Sequence, residues 1–205
     1  MPDGTATEDT ALKDTATRTV GGIEIPAPGD WVIDPAHSSV SFVARHMMVS
    51  KVRGHFGEFS GTIHVAEETE RSWAEITIKA ASIDTGTETR DTHLKSGDFL
   101  DVERFPELTF RSLRIEPGKG PNFRAHGQLT IRDVTRPVVL DVEYEGAIPD
   151  TRGGTRVAFS ATTEMDREEF GITWNMALET GGVLVGRKVK IELEVAAIQA
   201  AEQPA

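Results

Sequence analysis

Cysteine is absent from this chain of 205 residues. Disulfides and thiolate metal sites are thereby excluded, and the redox compartment cannot be read from the sequence. No apolar run reaches the length that a membrane-spanning helix needs. The opening stretch, Met1 to Val20, has no apolar core of signal-peptide length and begins acidic rather than basic. A cytoplasmic location is therefore the expectation. Catalytic signatures are missing as well: there is no Gly-x-Ser-x-Gly, His-Glu-x-x-His, Gly-x-Gly-x-x-Gly or phosphate-loop motif. Positive charge is in deficit, 22 Lys and Arg against 33 Asp and Glu, for a formal charge of −11. Nucleic acid phosphates and anionic membrane surfaces repel such a chain, so neither is an expected partner.

What the chain has in quantity is two-residue alternation. Val40, Phe42, Ala44, His46 and Met48 share one parity, against Ser39, Ser41 and Arg45. Ala74, Ile76, Ile78 and Ala80 alternate with Trp73, Glu75, Thr77 and Lys79. Phe123, Ala125, Gly127, Leu129 and Ile131 form a third set, and Val138, Leu140, Val142 and Tyr144 a fourth. Val157, Phe159, Ala161, Thr163 and Met165 follow, then Val189, Ile191, Leu193 and Val195. With 57–65 and 108–115 this makes about eight strands. Glu116-Pro117-Gly118, Arg136-Pro137, Pro149-Asp150 and Gly153-Gly154 read as the turns between them.

One-sided strands need a shared interior, and a closed antiparallel barrel supplies it while removing free edges. The expected fold is all-β, an antiparallel barrel of about eight strands, as a single domain over 23–198. Residues 1–22 are Thr-, Asp- and Ala-rich without apolar periodicity and read as a disordered tail, as do 199–205. The charged stretch 81–110 interrupts the strands and predicts a short helical lid around 88–97. Thr87 or Thr89 suits its N-cap, with Asp91 near the positive end and Lys95 near the negative end.

The inward sets mix large residues with Ala44, Ala74, Ala80, Ala125, Gly127 and Ala161. Small inward residues are compatible with a hollow lumen, because protein interiors otherwise pack near crystal density. They are equally compatible with alternating sizes that mesh in a filled core. Four of the six histidines, His37, His46, His55 and His64, recur every nine residues. Nine is odd, so along a strand successive members face opposite ways, and no metal site is expected. His46 shares the inward parity and is a candidate anchor for a ligand head group. Asp91 and His93, two apart on a helix, do not share a face.

Ordered motifs along the chain carry a family resemblance. Asp34-Pro35-Ala36-His37-Ser38, Val52-Arg53-Gly54-His55-Phe56 and Ala81-Ser82-Ile83-Asp84-Thr85 come first. Arg90-Asp91-Thr92-His93-Leu94, Phe105-Pro106-Glu107-Leu108-Thr109-Phe110, Thr135-Arg136-Pro137-Val138 and Glu168-Glu169-Phe170-Gly171 follow in order. Over about 31–198 the chain resembles the YceI-like family of lipocalin-like barrels. The resemblance implies a hydrophobic pore for a polyisoprenoid or similar amphiphile, no catalytic signature, no cofactor and a possible homodimer. Many members of that family are exported. One departure is Arg132-Asp133, where the family commonly turns on glycine; Asp133 is the residue expected to take the left-handed angle.

The expected tunnel lining is Val40, Phe42, Ala44, His46, Ile76, Ile78, Phe110, Phe123, Ala125, Leu129, Val142 and Phe159, with Trp174 and Met176 as wall or rim. Arg90, Asp91 and His93 belong to the expected lid. Lipid binding is the leading reading. Two others stay open: an enzyme acting on a small hydrophobic substrate through His46 or Asp91 and His93, and a filled barrel that serves as an interaction module.

Overall fold

Strands form where the alternation is cleanest, as a computed structural model shows for residues 16–20, 22–47, 49–150, 154–179 and 181–200. In chain order they are β1 (Thr17–Val20), β2 (Ile23–Pro26), β3 (Gly29–Ile33), β4 (Ser39–His46), β5 (Ser50–Phe56), β6 (Phe59–Val65), β7 (Trp73–Lys79) and β8 (Ile83–Asp84). Helix α1 (Glu88–Lys95) comes next. It is followed by β9 (Glu107–Pro117), β10 (Asn122–Ile131), β11 (Val134–Pro149), β12 (Thr155–Asp166) and β13 (Val185–Gln199).

Eight of these close into an antiparallel ring in the order β12-β11-β10-β9-β7-β6-β3-β13, with β13 pairing back onto β12. β13 is long enough to serve two partners on its other side. Ala197–Gln199 pair with β3, and Val185–Glu194 pair with β4. From β4 the wall continues through β5 to the short β8, where α1 begins. Most inward residues of the ring form an apolar core that includes Ile76, Phe110, Leu129, Leu140 and Leu193, while Trp31, Val65, Tyr144, Val157 and Ala197 form a second cluster with Ala16.

The Asp34–Ser38 motif is a latch between walls. Asp34 caps a single 3-10 turn by accepting from the Ala36 amide at 3.0 Å, and Arg156 of β12 donates to its carboxylate at 2.7 Å. Ser38 donates to the Asp34 carbonyl and accepts from the Ala196 amide at 2.9 Å. The turn between β3 and β4 is thus tied to both β12 and β13.

Several expectations change. The expected tail at 1–22 gives way at Ala16 to a hairpin, because β1 pairs with β2 and the buried Ala16 joins the apolar cluster that holds Trp31 and Val157. Residues 1–15 lie outside those described. At the other end β13 includes Gln199, and the Ala200 amide donates to Asp30 at 2.8 Å; residues 201–205 lie outside those described. Arg136-Pro137 is not a turn but part of β11, opposite Gln128. β12 pairs with β11 only from Asp141 onward, so the missing proline N–H falls where the strand has a free side. At the β10–β11 turn, Arg132 and not Asp133 takes the left-handed angle, with φ 59°.

Candidate functional site

The barrel interior holds two apolar chambers. One, of about 160 Å³, lies toward α1 and is walled by Val40, Phe42, Ala44, Ile78, Leu129 and Leu94 among others. The second, of about 150 Å³, lies toward the β1–β2 hairpin and is walled by Ala74, Phe123, Ala125, Val142, Phe159 and Ala161 among others. Ile76, Phe110, Leu140 and Leu193 belong to both walls and form a waist between them. An apolar cavity of roughly this size stays dry and takes a benzene-sized group. Of the twelve strand residues expected to line the lumen, eleven border these two chambers, and His46 does not.

His46 sits at the mouth. It is half-buried at the end of β4 and borders an antechamber of about 320 Å³ with Val52, Thr89, Arg90, His93 and Trp174. The deep interior position expected from its parity is corrected by the length of β4, whose last residue it is. Phe42, Ala44, Leu94, Phe99 and Val185 border both the antechamber and the chamber beneath it. Trp174 is a mouth residue, packed 4.6 Å from the His93 ring and 5.3 Å from Phe99 between centroids. Met176 is not a wall: it is 55% exposed. Residues 171–179 and 181–184 are irregular, with an isolated bridge from Ala177 to Val183, so shared parity between 174 and 176 carries no facing information there.

The residues expected to form the lid take separate partners. Asp91 accepts from the Thr85 amide at 3.0 Å and from the Thr85 hydroxyl. Arg90 donates to the Thr85 hydroxyl, the Thr85 carbonyl and the Thr87 hydroxyl, fixing the start of α1. His93 Nε2 lies 2.8 Å from Asp98, on the other side of the helix end. Other histidines also hold separate carboxylate partners: His37 with Asp34, His64 with Asp30 and His126 with Glu116. Among the described residues no three metal-ligating side chains gather.

Two polar side chains at the lumen were not among the expected lining: Arg167, and Tyr144, whose inward parity the alternation had shown. Arg167 is 3% exposed and borders the α1-side chamber. Its guanidinium donates to the carbonyls of Ile172, Trp174, Val185 and Gly186, so it pins the mouth segment to the barrel. Burial pushes its pKa down, opposed by the charges of Glu168 and Asp166. The inward parity of Thr163 and Met165 extends to position 167, which was the available signal. Tyr144, the sole tyrosine, belongs to the hairpin-side wall and is 7% exposed. Its hydroxyl is fully enclosed and has no hydrogen-bond partner among the described residues. Burial, and secondarily the charge of Glu24, push its pKa up to about 12. A buried hydroxyl left unpaired costs roughly 1–3 kcal/mol.

A barrel whose apolar interior is capped by a short helix at one end is what the motifs led one to expect. The YceI-like domain model matches residues 31–197. The chain belongs to the YceI-like family. A UPF0312 protein of Staphylococcus aureus is 38% identical over 165 residues, covering 80% of this chain and 94% of that protein. Among solved structures, BcnA of Burkholderia cenocepacia superposes with a TM-score of 0.70 at 25% identity, over 80% of this chain and 98% of that one. A domain from Saccharophagus degradans, described as polyisoprenoid-binding, shares the fold with a TM-score of 0.61 at 13% identity, over 83% and 98%. The β1–β2 hairpin lies outside the family match.

Proposed function

We propose that this YceI-like barrel binds or carries a polyisoprenoid or similar long-chain amphiphile in its lumen. The observation that carries the reading is the pair of apolar chambers meeting at a shared waist, with a mouth at α1. Each buried methylene contributes about 0.8 kcal/mol, before the costs of ordering and association. The naming of the Saccharophagus degradans domain as polyisoprenoid-binding agrees with this ligand class. Carriage without catalysis is favoured because Asp91 and His93 have separate partners and, among the described residues, no nucleophile, base and orienting group converge. Titration calorimetry with a long-chain prenol tests the proposal. Saturable uptake with a negative heat-capacity change is expected from apolar burial; absence of any uptake contradicts it.

A further inference from the structure

We propose that the rim of the α1-side mouth is a docking tip, by which the barrel rests on a zwitterionic phospholipid surface to exchange its ligand. The inference rests on the lumen being a lipid site, and it adds where that lipid enters and leaves. The loop joining β4 to β5 reads Met47-Met48-Val49. Tight connections ordinarily use Gly, Asn, Asp or Ser, which tolerate left-handed angles or bond their own backbone. Here Met47 takes φ 51°, an angle that is costly for a bulky side chain. Val49 is 81% exposed and Met47 46%. The fold thus holds apolar side chains in water where a polar turn would cost less.

Backbone hydrogen bonds join this loop to a third exposed apolar residue. The Met47 amide donates to the Leu184 carbonyl at 2.7 Å, and the Leu184 amide donates to the Met176 carbonyl at 2.9 Å. Met47, Val49 and Met176 therefore stand on one rim, and His46, Trp174 and Leu184 border the antechamber just inside it. Exposed apolar clusters mark protein or membrane contacts, and two observations select the membrane. The rim is continuous with the mouth of the apolar lumen, so a chain can pass between bilayer and barrel without crossing water. Cations also stand at its base: Arg45 and Lys51 are exposed cross-strand partners, and neither forms a salt bridge among the described residues, although Lys51 is near enough to help lower the Glu192 pKa. These two cations suit the phosphates of a zwitterionic lipid. A strongly anionic surface is opposed by the formal charge of −11 and by the exposed Glu179 of the rim segment.

The test is flotation with phosphatidylcholine vesicles, for the full chain and for the double variant Val49→Asp/Met176→Asp. The wild type should float with the vesicles and lose little of that binding at high salt, because apolar insertion carries the contact. The double variant should bind the vesicles about tenfold more weakly and take geranylgeraniol from them about tenfold more slowly. Its melting temperature, and its affinity for geranylgeraniol delivered from cyclodextrin, should match the wild type. Val49→Trp should bind the vesicles more tightly than the wild type. If the wild type takes the prenol from cyclodextrin but stays off the vesicles, or if the double variant floats and loads like the wild type, the docking tip is wrong and the lipid reading stands. A wild type that dimerises instead, in a manner lost in the double variant, makes the rim a self-interface and overturns the membrane assignment. If the wild type takes prenol from neither source, both fail.

Discussion

At the residue scale, alanine and glycine on the inward faces behave differently. Ala44, Ala74, Ala125 and Ala161 border the chambers, as the parity argument expects. Gly127 does not mark empty space: a Cβ there would lie 2.6 Å from the Phe110 ring, so the glycine exists to let that ring cross the strand. Ala80 is buried in a 3-10 turn at the end of β7. Sequence shows size and parity but not which neighbour fills a gap. Ala125→Leu places three carbons into the hairpin-side chamber. In a filled core such a change costs roughly 1–3 kcal/mol; here prenol uptake should fall at least tenfold with the melting temperature nearly unchanged. A large drop in melting temperature with intact uptake would mean that Ala125 faces packed side chains.

Asp34 is a second case, where a family motif proves architectural. The Arg156 hydrogen bond first, and His37 next, hold its carboxyl down at about 2. A depressed carboxylate pKa stabilises the fold above the unfolded value near 3.8 and loses that contribution as pH falls through about 2. Partial exposure screens the pair, so about 1–2 kcal/mol is at stake. Acid unfolding followed by circular dichroism should show Asp34→Asn less stable than wild type at neutral pH, with the difference shrinking between pH 4 and 2. A difference that stays constant over that window would show the carboxylate's charge to be irrelevant.

At the element scale, the strands were legible because alternation and burial have the same period; the joints were less so. Pro137 reads as a stop, but an unpaired side of β11 accepts it. Trp174 and Met176 lie where the chain is irregular, and parity has no meaning without a strand. The hairpin was hidden because β1 is polar outside and short, and its value lies in what it covers. Ile25 and Pro26 border the hairpin-side chamber, and Arg18 anchors the hairpin to Glu67 at 2.8 Å and to the Ala66 carbonyl at 2.6 Å. Since the family match begins at residue 31, a chain lacking residues 1–26 should keep the barrel and open this chamber to water. Tyrosine ionisation reads the change directly: the absorbance midpoint should fall from about 12 toward 10. An unmoved midpoint, with the circular dichroism of a folded barrel, would show that the hairpin is not the cover.

At the scale of the whole molecule, closure of eight strands and a single apolar interior follow from the sequence pattern and the family motifs. Division of that interior by Ile76, Phe110, Leu140 and Leu193 does not, because a waist depends on rotamers across strands distant in the chain. The buried Arg167 escaped for a related reason, since charge in a D-R-E-E turn reads as solvated surface until the carbonyls around it are seen. The central claim is that this interior is a place for a lipid and not merely a loosely packed core. Native mass spectrometry of the purified full chain, after organic extraction and then incubation with geranylgeraniol, tests it most directly. The account predicts a one-to-one complex that survives into the gas phase and is lost in Ala125→Leu; a wild-type chain that stays at its bare mass at every prenol concentration contradicts it.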